Sequence, residues 1–336
     1  MGNTDKNIPD LEERFLEPEG WRWHSFVRED RKIRFGSIFP KDTVPDAVVV
    51  CLPGLGEFGE KYFETARNCN DMNLAFWVID WMGQGGSGRY LKNPQKRHAS
   101  HFQDDVDDLH YFYMEYVKHS CVHPDVGRIP VAMLAHSMGA NIGLHFLKQH
   151  TDVFECAGLT APMLGFNAIE NAPMRAVSSL STLLQTLVGK NYMSGQGGWN
   201  PSMRPATGED ALSNDPARVE IHKAWFEADP ELQIGGITYR WLNQAIKSSA
   251  LLNSKDFLDS IEVPCLMALA GQERLVDNQK AQHIASTLKS CELLEFPEAR
   301  HEILMEKDDI RDKFLKNFYA LIKENIIDRP ETLKPF

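Results

Sequence analysis

Hydrophobic positions follow two different periods along the chain, and their alternation predicts a layered structure. Residues 21–27 and 32–39 alternate apolar and polar side chains around Glu29 and Asp30, which predicts an antiparallel hairpin. Continuous apolar runs follow, and these are typical of strands buried on both faces of a parallel sheet. The predicted buried strands are 47–52, 75–79, 131–135, 155–159, 265–270 and 293–296.

Segments with helical spacing separate these runs. The predicted helices are 61–72, 102–117, one that opens at Gly139, 278–288 and 310–327. Strands and helices that follow one another in this way predict an α/β fold with a mostly parallel sheet flanked by helices.

The alternation stops over residues 165–262, a stretch too long for a structureless loop inside a compact domain. We therefore expect an inserted helical cap subdomain there, with the core formed by 21–164 and 263–327. Apolar residues at helical spacing, Met174 to Leu184 and later Trp241 to Ile246, predict the helices of the cap. The apolar faces of these helices serve either as ordinary packing surfaces or as a lid over an acyl chain.

Composition narrows the classes of function. The chain has 336 residues, 43% hydrophobic and 25% charged, which is typical of a globular protein with one large core. Its net charge of −11 argues against non-specific nucleic-acid binding, because phosphate contacts need clustered Lys and Arg. No H-E-x-x-H motif accompanies the neighbouring His98 and His101, so we expect no metal.

The cysteines and the first residues bear on location. Six cysteines stand at scattered spacings without a C-x-x-C pair, and several lie inside predicted strands, which is typical of reduced thiols. The first residues are polar and lack the apolar stretch of a signal peptide, and no apolar run is long enough to span a membrane. We expect a cytoplasmic protein.

Ser137 lies where a predicted strand meets a predicted helix. A serine at such a junction is typical of a nucleophile elbow, a sharp turn that lifts the hydroxyl out of the sheet. The crowded turn requires small residues two positions before and after the serine, and Ala135 and Gly139 meet that requirement. The alternative is that Ser137 only caps the helix.

Two later loops carry partners for Ser137. The segment 271–277, which follows one buried strand, contains Glu273 and Asp277, and His301 follows the last strand. Carboxyl ends of parallel strands share one edge of a sheet, so these loops and Ser137 are expected to converge. A histidine can take the proton of the serine while an acid fixes its tautomer. Asp277 equally suits the N-cap of the following helix.

A tetrahedral oxyanion needs two fixed N–H donors. The N–H of Met138, directly after Ser137, is one candidate, and the N–H of Leu55 in the turn 53–56 is the other.

The same turn supports a rival hypothesis. Gly54, Gly56 and Gly59 form G-x-G-x-x-G between a strand and a helix, with Asp80 about 20 residues further on, as in a dinucleotide-binding fingerprint. This pattern predicts a nucleotide-binding oxidoreductase. Two strands precede the turn, however, and the hypothesis leaves Ser137 and His301 without a role.

The sequence resembles the serine hydrolases of the α/β-hydrolase superfamily, and most of all monoacylglycerol lipases and bacterial lysophospholipases. The resemblance extends over residues 21–326. Its motifs are Pro53-Gly-Leu-Gly56, Asp80-Trp-Met-Gly-Gln-Gly-Gly-Ser-Gly88, Ala135-His-Ser-Met-Gly139, Glu273-Arg-Leu-Val-Asp-Asn278 and His301-Glu-Ile-Leu-Met-Glu-Lys307. The departures are Ala135 for glycine, Pro53 where the lipases often have histidine, and Glu273 where they usually have aspartate.

The resemblance implies an α/β-hydrolase fold with a helical cap and no cofactor. It further implies Ser137 as the nucleophile, Glu273 as the acid and His301 as the base, with oxyanion donors at Leu55 and Met138. A fold of this kind used only for binding would normally have lost part of that set.

We therefore expect hydrolysis of the ester of a single-chain lipid, a lysophospholipid or a monoacylglycerol, through an acyl-enzyme on Ser137. Small-molecule carboxylesterases and lactonases share the triad and are the alternative. Candidate substrate-binding residues in the cap are Met174, Leu184, Trp199 and Trp241. The cap is also expected to touch a membrane surface peripherally, at its inner face.

Overall fold

A computed structural model describes residues 8–169, 172–205, 207–208 and 211–328 of the chain. Residues 1–7, on which the expectation about a signal peptide rests, lie outside the described part. The central sheet is built from β1 (Arg22–Arg28), β2 (Arg31–Ile38), β3 (Ala47–Leu52), β4 (Leu74–Ile79), β5 (Val131–His136), β6 (Cys156–Thr160), β7 (Cys265–Ala270) and β8 (Cys291–Phe296).

The eight strands are arranged in the order β1-β2-β4-β3-β5-β6-β7-β8. β1 and β2 form the predicted antiparallel hairpin, and β2 pairs antiparallel with β4. All the other neighbours in the sheet are parallel. The prediction of a mostly parallel sheet is confirmed.

Strands β3, β4 and β5 are buried along their whole length because helices cover both faces of the sheet. Alternate residues of β3 enter different cores: Val48, Val50 and Leu52 pack on one face. Ala47, Val49 and Cys51 pack on the other. This explains why the sequence of a central parallel strand is continuously apolar.

The described helices of four residues or more are α1 (Phe63–Asp71), α2 (Phe102–Phe112), α3 (Met138–Gln149), α4 (Met174–Val188), α5 (Pro216–Ala228), α6 (Tyr239–Leu252), α7 (Lys255–Leu258), α8 (Asn278–Thr287) and α9 (Asp308–Ile322). The predicted helix 102–117 changes after α2 into a π-helical turn, Tyr113–Val117, and 310–327 ends in a similar turn, Lys323–Ile327. A short hairpin, Val122–His123 with Gly127–Arg128, was not anticipated. No helix of the described residues is both long and apolar enough to cross a bilayer.

Helices α4 to α7 lie between β6 and β7 in the chain, and this segment adds no strand to the central sheet among its described residues. α4 packs on α6, and α6 packs in turn on α2 and α3. Trp241 of α6 is accordingly buried in the same core as β3 and β5. The division of the chain at 165 and 262 stays a prediction.

Candidate active site

Ser137 connects the end of β5 to the start of α3 in a strained conformation. Its φ of 50° and ψ of −112° lie outside the regions that L-residues favour, which costs on the order of 1–3 kcal/mol. Neighbouring loops hold it there, because its N–H donates to the carbonyl oxygen of Thr160 at 3.0 Å and its carbonyl accepts from Met163 at 3.0 Å. The hydroxyl is thereby presented at the carboxyl edge of the sheet.

Close approach of the neighbouring strand explains the small residues of this turn. A Cβ at Gly139 would clash with the backbone oxygens of Leu52 and Pro53. Ala135 lies within β5, two residues before Ser137, where it pairs with Leu52 and Leu159. The site therefore demands glycine after the serine but accepts alanine before it.

Three side chains from different strand ends form a hydrogen-bonded chain. The Oγ of Ser137 lies 3.0 Å from Nε2 of His301. The Nδ1 of His301 lies 2.7 Å from Oε2 of Glu273. Ser137 and His301 are each 6% exposed, so the chain of hydrogen bonds is shielded from water.

The two candidate acids have different surroundings. Glu273 contacts His301 and also accepts from the backbone N–H of Leu275 at 2.7 Å and of Val276 at 3.2 Å. Burial by itself would raise the pKa of Glu273, but the His301 ring and these N–H donors outweigh it and hold the pKa below its usual range. Asp277 instead caps α8 by accepting from the N–H of Lys280 at 3.1 Å.

The two expected oxyanion donors flank the hydroxyl. Met138 is the first residue of α3, where backbone N–H groups have no partner within the helix. Leu55 belongs to the turn after β3, and a Cβ at the adjacent Gly54 would lie 3.3 Å from Cβ of Ser137. In the described part of the molecule, neither the N–H of Leu55 nor that of Met138 donates to another protein group.

Side chains from the second glycine-rich turn hold the Leu55 turn. Trp81 Nε1 donates to the carbonyl oxygen of Pro53 at 2.8 Å. Gln84, fully buried, donates to the carbonyl oxygens of Gly54 and Glu57 and accepts from the N–H of Gly56 at 3.1 Å. The turn is therefore fixed on both sides of Leu55.

A buried cluster of charges lies beneath the same turn. Lys61 bridges Glu57 at 2.8 Å and Glu302 at 2.6 Å. Arg204 also pairs with Glu302, at 2.5 Å, and Glu57 accepts from the N–H of Gly54 at 2.5 Å. Burial opposes ionisation of Glu57, but Lys61 and His136 outweigh it and lower its pKa. Sequence analysis missed this cluster; its only signal was charge inside the Gly54–Gly59 turn and directly after His301.

The dinucleotide hypothesis fails on Asp80. That carboxylate is 1% exposed and accepts from the N–H of Gly59 and Gly86, each at 2.8 Å. It also pairs with Arg34, so it has no face left for a ribose. The glycines of the turn are explained by close packing on Ser137 and Gln84. Among the described residues there is no group of three side chains that could hold a metal ion.

A cavity of about 540 Å³ opens at Ser137 and is lined mostly by apolar side chains; we call it the apolar cavity. Leu184 and Trp241 line it, as do Val177 and Leu180 of α4. Met174 lies elsewhere, at a smaller cavity of about 260 Å³ whose described lining includes none of Ser137, Glu273 and His301. It is therefore not a wall residue of the apolar cavity.

A second cavity, of about 490 Å³, adjoins the first and shares Leu55, Arg204 and His301 with it. Trp199 lines this one, as do Arg97, Arg274 and Arg300. We call it the arginine-lined cavity.

Comparison with known proteins assigns the family. Residues 43–308 match the model of the hydrolase family described as serine aminopeptidase, S33. The chain belongs to this family. It is 31% identical over 280 residues to lysophospholipase L2 of Escherichia coli, a match that covers 79% of this chain and 77% of that protein. It is also 20% identical to the monoglyceride lipase of Rattus norvegicus, over 89% of this chain and 90% of the other.

Solved structures agree on the fold of this hydrolase. A soluble variant of monoglyceride lipase from Saccharomyces cerevisiae superposes with a TM-score of 0.69 at 15% identity, covering 91% of this chain and 96% of that one. A carboxyl esterase from Bacillus coagulans gives a TM-score of 0.68 at 18% identity, covering 92% of this chain and 100% of that one. The expected α/β-hydrolase fold is confirmed.

Proposed function

We propose that this hydrolase cleaves the carboxylic ester of a single-chain lipid through an acyl-enzyme on Ser137. The observation that carries the proposal is the hydrogen-bonded chain from Glu273 through His301 to Ser137 at the wall of the apolar cavity. A serine, a base and an acid in this arrangement are the parts that acyl transfer requires.

The chemistry follows from the contacts. His301 Nε2 takes the proton of Ser137 Oγ as the oxygen attacks the ester carbonyl, and Glu273 stabilises the imidazolium from the Nδ1 side. The N–H groups of Leu55 and Met138 hold the oxyanion. The C–O bond of the ester then breaks, and the leaving alkoxide receives the proton from His301. Water, deprotonated by His301, attacks the acyl-enzyme and releases the fatty acid and Ser137.

The shape and lining of the apolar cavity support a lipid substrate. Leu180, Leu184 and Trp241 present carbon surface beside Ser137, which an acyl chain can cover. The relatives named lysophospholipase L2 and monoglyceride lipase are consistent with such a substrate. Small esters would leave most of this surface uncovered, so we rank carboxylesterase activity on them second.

The proposal includes a cap formed by residues 165–262 and a peripheral membrane contact on α4. The only charged residue of α4 is Arg175. Leu180, Leu183 and Leu187 of this helix are 57%, 55% and 70% exposed, and Leu180 also lines the apolar cavity. An apolar helix face of this kind favours an interfacial position at a bilayer, beside the source of the substrate. All six cysteines are free thiols, which suits a cytoplasmic location at the inner membrane face.

Release of fatty acid from a lipid panel tests the proposal. The panel contains a lysophospholipid, a monoacylglycerol with the same acyl chain and a short-chain chromogenic ester, and Ser137→Ala is the control. We expect hydrolysis of the lipids by the wild type and none by a folded Ser137→Ala variant. Full activity of that variant would refute the mechanism, and activity on the short ester alone would refute the lipid substrate.

A further inference from the structure

The arginine-lined cavity has a composition that the rest of the chain does not share. The chain carries 47 acidic and 36 basic residues, yet the described lining of this cavity includes four arginines and no aspartate or glutamate. Charged residues of one sign that line a cleft focus the field on a ligand of the opposite sign. The lining therefore favours an anion.

Two of these arginines keep charge that no adjacent carboxylate cancels. Arg300 donates to the backbone carbonyl oxygens of Gly208 at 2.7 Å and Ala211 at 3.2 Å. Arg97, which is fully buried, donates to the carbonyl oxygens of Met82 at 3.0 Å and His98 at 2.6 Å. Carbonyl dipoles satisfy hydrogen bonds but leave the positive charge in place.

Arg204 brings this charge to the reacting centre. Its Nη1 pairs with Glu302, the residue after His301, and its Nη2 lies 3.4 Å from the carbonyl oxygen of Leu55. Its side chain is 21% exposed, and a guanidinium has five N–H donors, so donors remain for a ligand. A group bound to Arg204 would lie between His301 and the oxyanion turn, on the side where a leaving group departs.

Building on the ester hydrolysis proposed above, we propose that the arginine-lined cavity binds the phosphate of a lysophospholipid head group, and that Arg204 is the specificity-determining residue that contacts it. In a lysophospholipid the glycerol carbons separate the ester oxygen from the phosphate by one short linker. With the acyl chain in the apolar cavity and the ester at Ser137, the head group must extend past His301. A guanidinium binds phosphate oxygens through charge-assisted hydrogen bonds, whereas the hydroxyls of a monoacylglycerol leave this charge unmatched.

The test compares two substrates with the same oleoyl chain, lysophosphatidylglycerol and monooleoylglycerol, each at the same low mole fraction in micelles of a neutral detergent. Arg204→Gln should lower kcat/KM for the phosphate-bearing substrate roughly ten- to hundredfold, the value of a charged hydrogen bond. It should lower kcat/KM for monooleoylglycerol much less. Arg240→Gln, an arginine outside both cavities that donates to the carbonyl oxygen of Ser100, is the matched control. Equal losses on both substrates would reduce Arg204 to a support for Glu302 and Leu55 and overturn the inference.

A second measurement does not depend on lipid hydrolysis. Glycerol 3-phosphate should inhibit hydrolysis of a neutral short-chain ester competitively, raising KM without lowering kcat, and glycerol should not. Arg204→Gln should remove that inhibition, while Arg240→Gln should keep it. A wild type that hydrolyses only the short ester would refute the lipid substrate but leave this test intact, and absence of inhibition in the wild type would refute the phosphate site.

Discussion

Gln84 donates a hydrogen bond of 2.8 Å from Nε2 to the carbonyl oxygen of Gly54. The same nitrogen donates at 2.8 Å to the carbonyl oxygen of Glu57, and Oε1 accepts from the N–H of Gly56. One buried amide thus holds the backbone on both sides of Leu55. Because an oxyanion donor acts through its fixed position, the role of Leu55 depends on Gln84.

Gln84→Met should lower the turnover of a short-chain ester with little change in KM. Methionine fills a similar volume but leaves the backbone groups of Gly54 and Gly56 without partners. Since loss of one oxyanion donor costs about a hundred- to a thousandfold in kcat, partial displacement of Leu55 should cost roughly ten- to a hundredfold. Steady-state kinetics measures this, with the exposed Gln103→Met as the control. Unchanged kcat would show that the turn keeps its shape without Gln84.

Glu273→Gln and Asp277→Ala should separate the two candidate acids. Glu273→Gln should lower kcat about a thousand- to ten-thousandfold with little loss of stability, because an amide favours the wrong tautomer of His301. Asp277→Ala should keep kcat near that of the wild type and lower the free energy of unfolding by about 1 kcal/mol, the value of a helix N-cap. Kinetics and urea unfolding of both variants decide the matter. A greater loss of kcat in Asp277→Ala would assign the acid to Asp277.

Much of the fold could be predicted from the sequence because its signals are local. Continuous apolar runs such as Ala47–Leu52 identify central parallel strands, and alternation identifies the β1–β2 hairpin. The ends of α2 and α9 were less predictable, because apolar spacing does not distinguish an α-helix from the π-helical turn that follows.

The candidate site divides in the same way. Ser137, Glu273 and His301 stand in loops whose convergence follows from strand order, so reasoning from topology brings them together. Gln84 and Arg204 reach the site from distant segments, and their roles depend on contacts with Gly54 and Glu302 that no spacing encodes. Met174 fits the helical pattern of α4 as well as Leu184 does, yet packing directs the two residues to different cavities.

The stability of the protein should decrease in mild acid, partly through His145. Burial lowers the pKa of His145 from 6.5 to about 4, although its hydrogen bond with Ser248 acts in the opposite direction. The unfolded state therefore binds more protons between these two pH values, so this contribution is complete above pH 6.5 and is lost as the pH falls towards 4. For a ring that solvent partly reaches, we expect a loss of about 2 kcal/mol.

Urea unfolding of the wild type and His145→Leu across this pH range measures that loss. Ser248 keeps a partner in the variant, because its hydroxyl also donates to Asn141 at 2.5 Å. The variant should show a weaker dependence of stability on pH than the wild type. Parallel curves for the two proteins would contradict the assignment to His145.

The outer leucines of α4 should determine binding to membranes without affecting the chemistry. Leu183 and Leu187 are more than half exposed and do not line the apolar cavity, unlike Leu180 and Leu184. Each buries apolar area in a bilayer interface, and at about 1 kcal/mol per side chain their joint replacement by glutamine should weaken vesicle binding roughly tenfold or more. Co-sedimentation with vesicles of phosphatidylcholine and phosphatidylglycerol measures this. Val126→Gln, at a residue that is 60% exposed in the short hairpin, is the control. Hydrolysis of a monomeric short ester should stay unchanged in both variants, and vesicle binding equal to that of the wild type would exclude α4 as the contact.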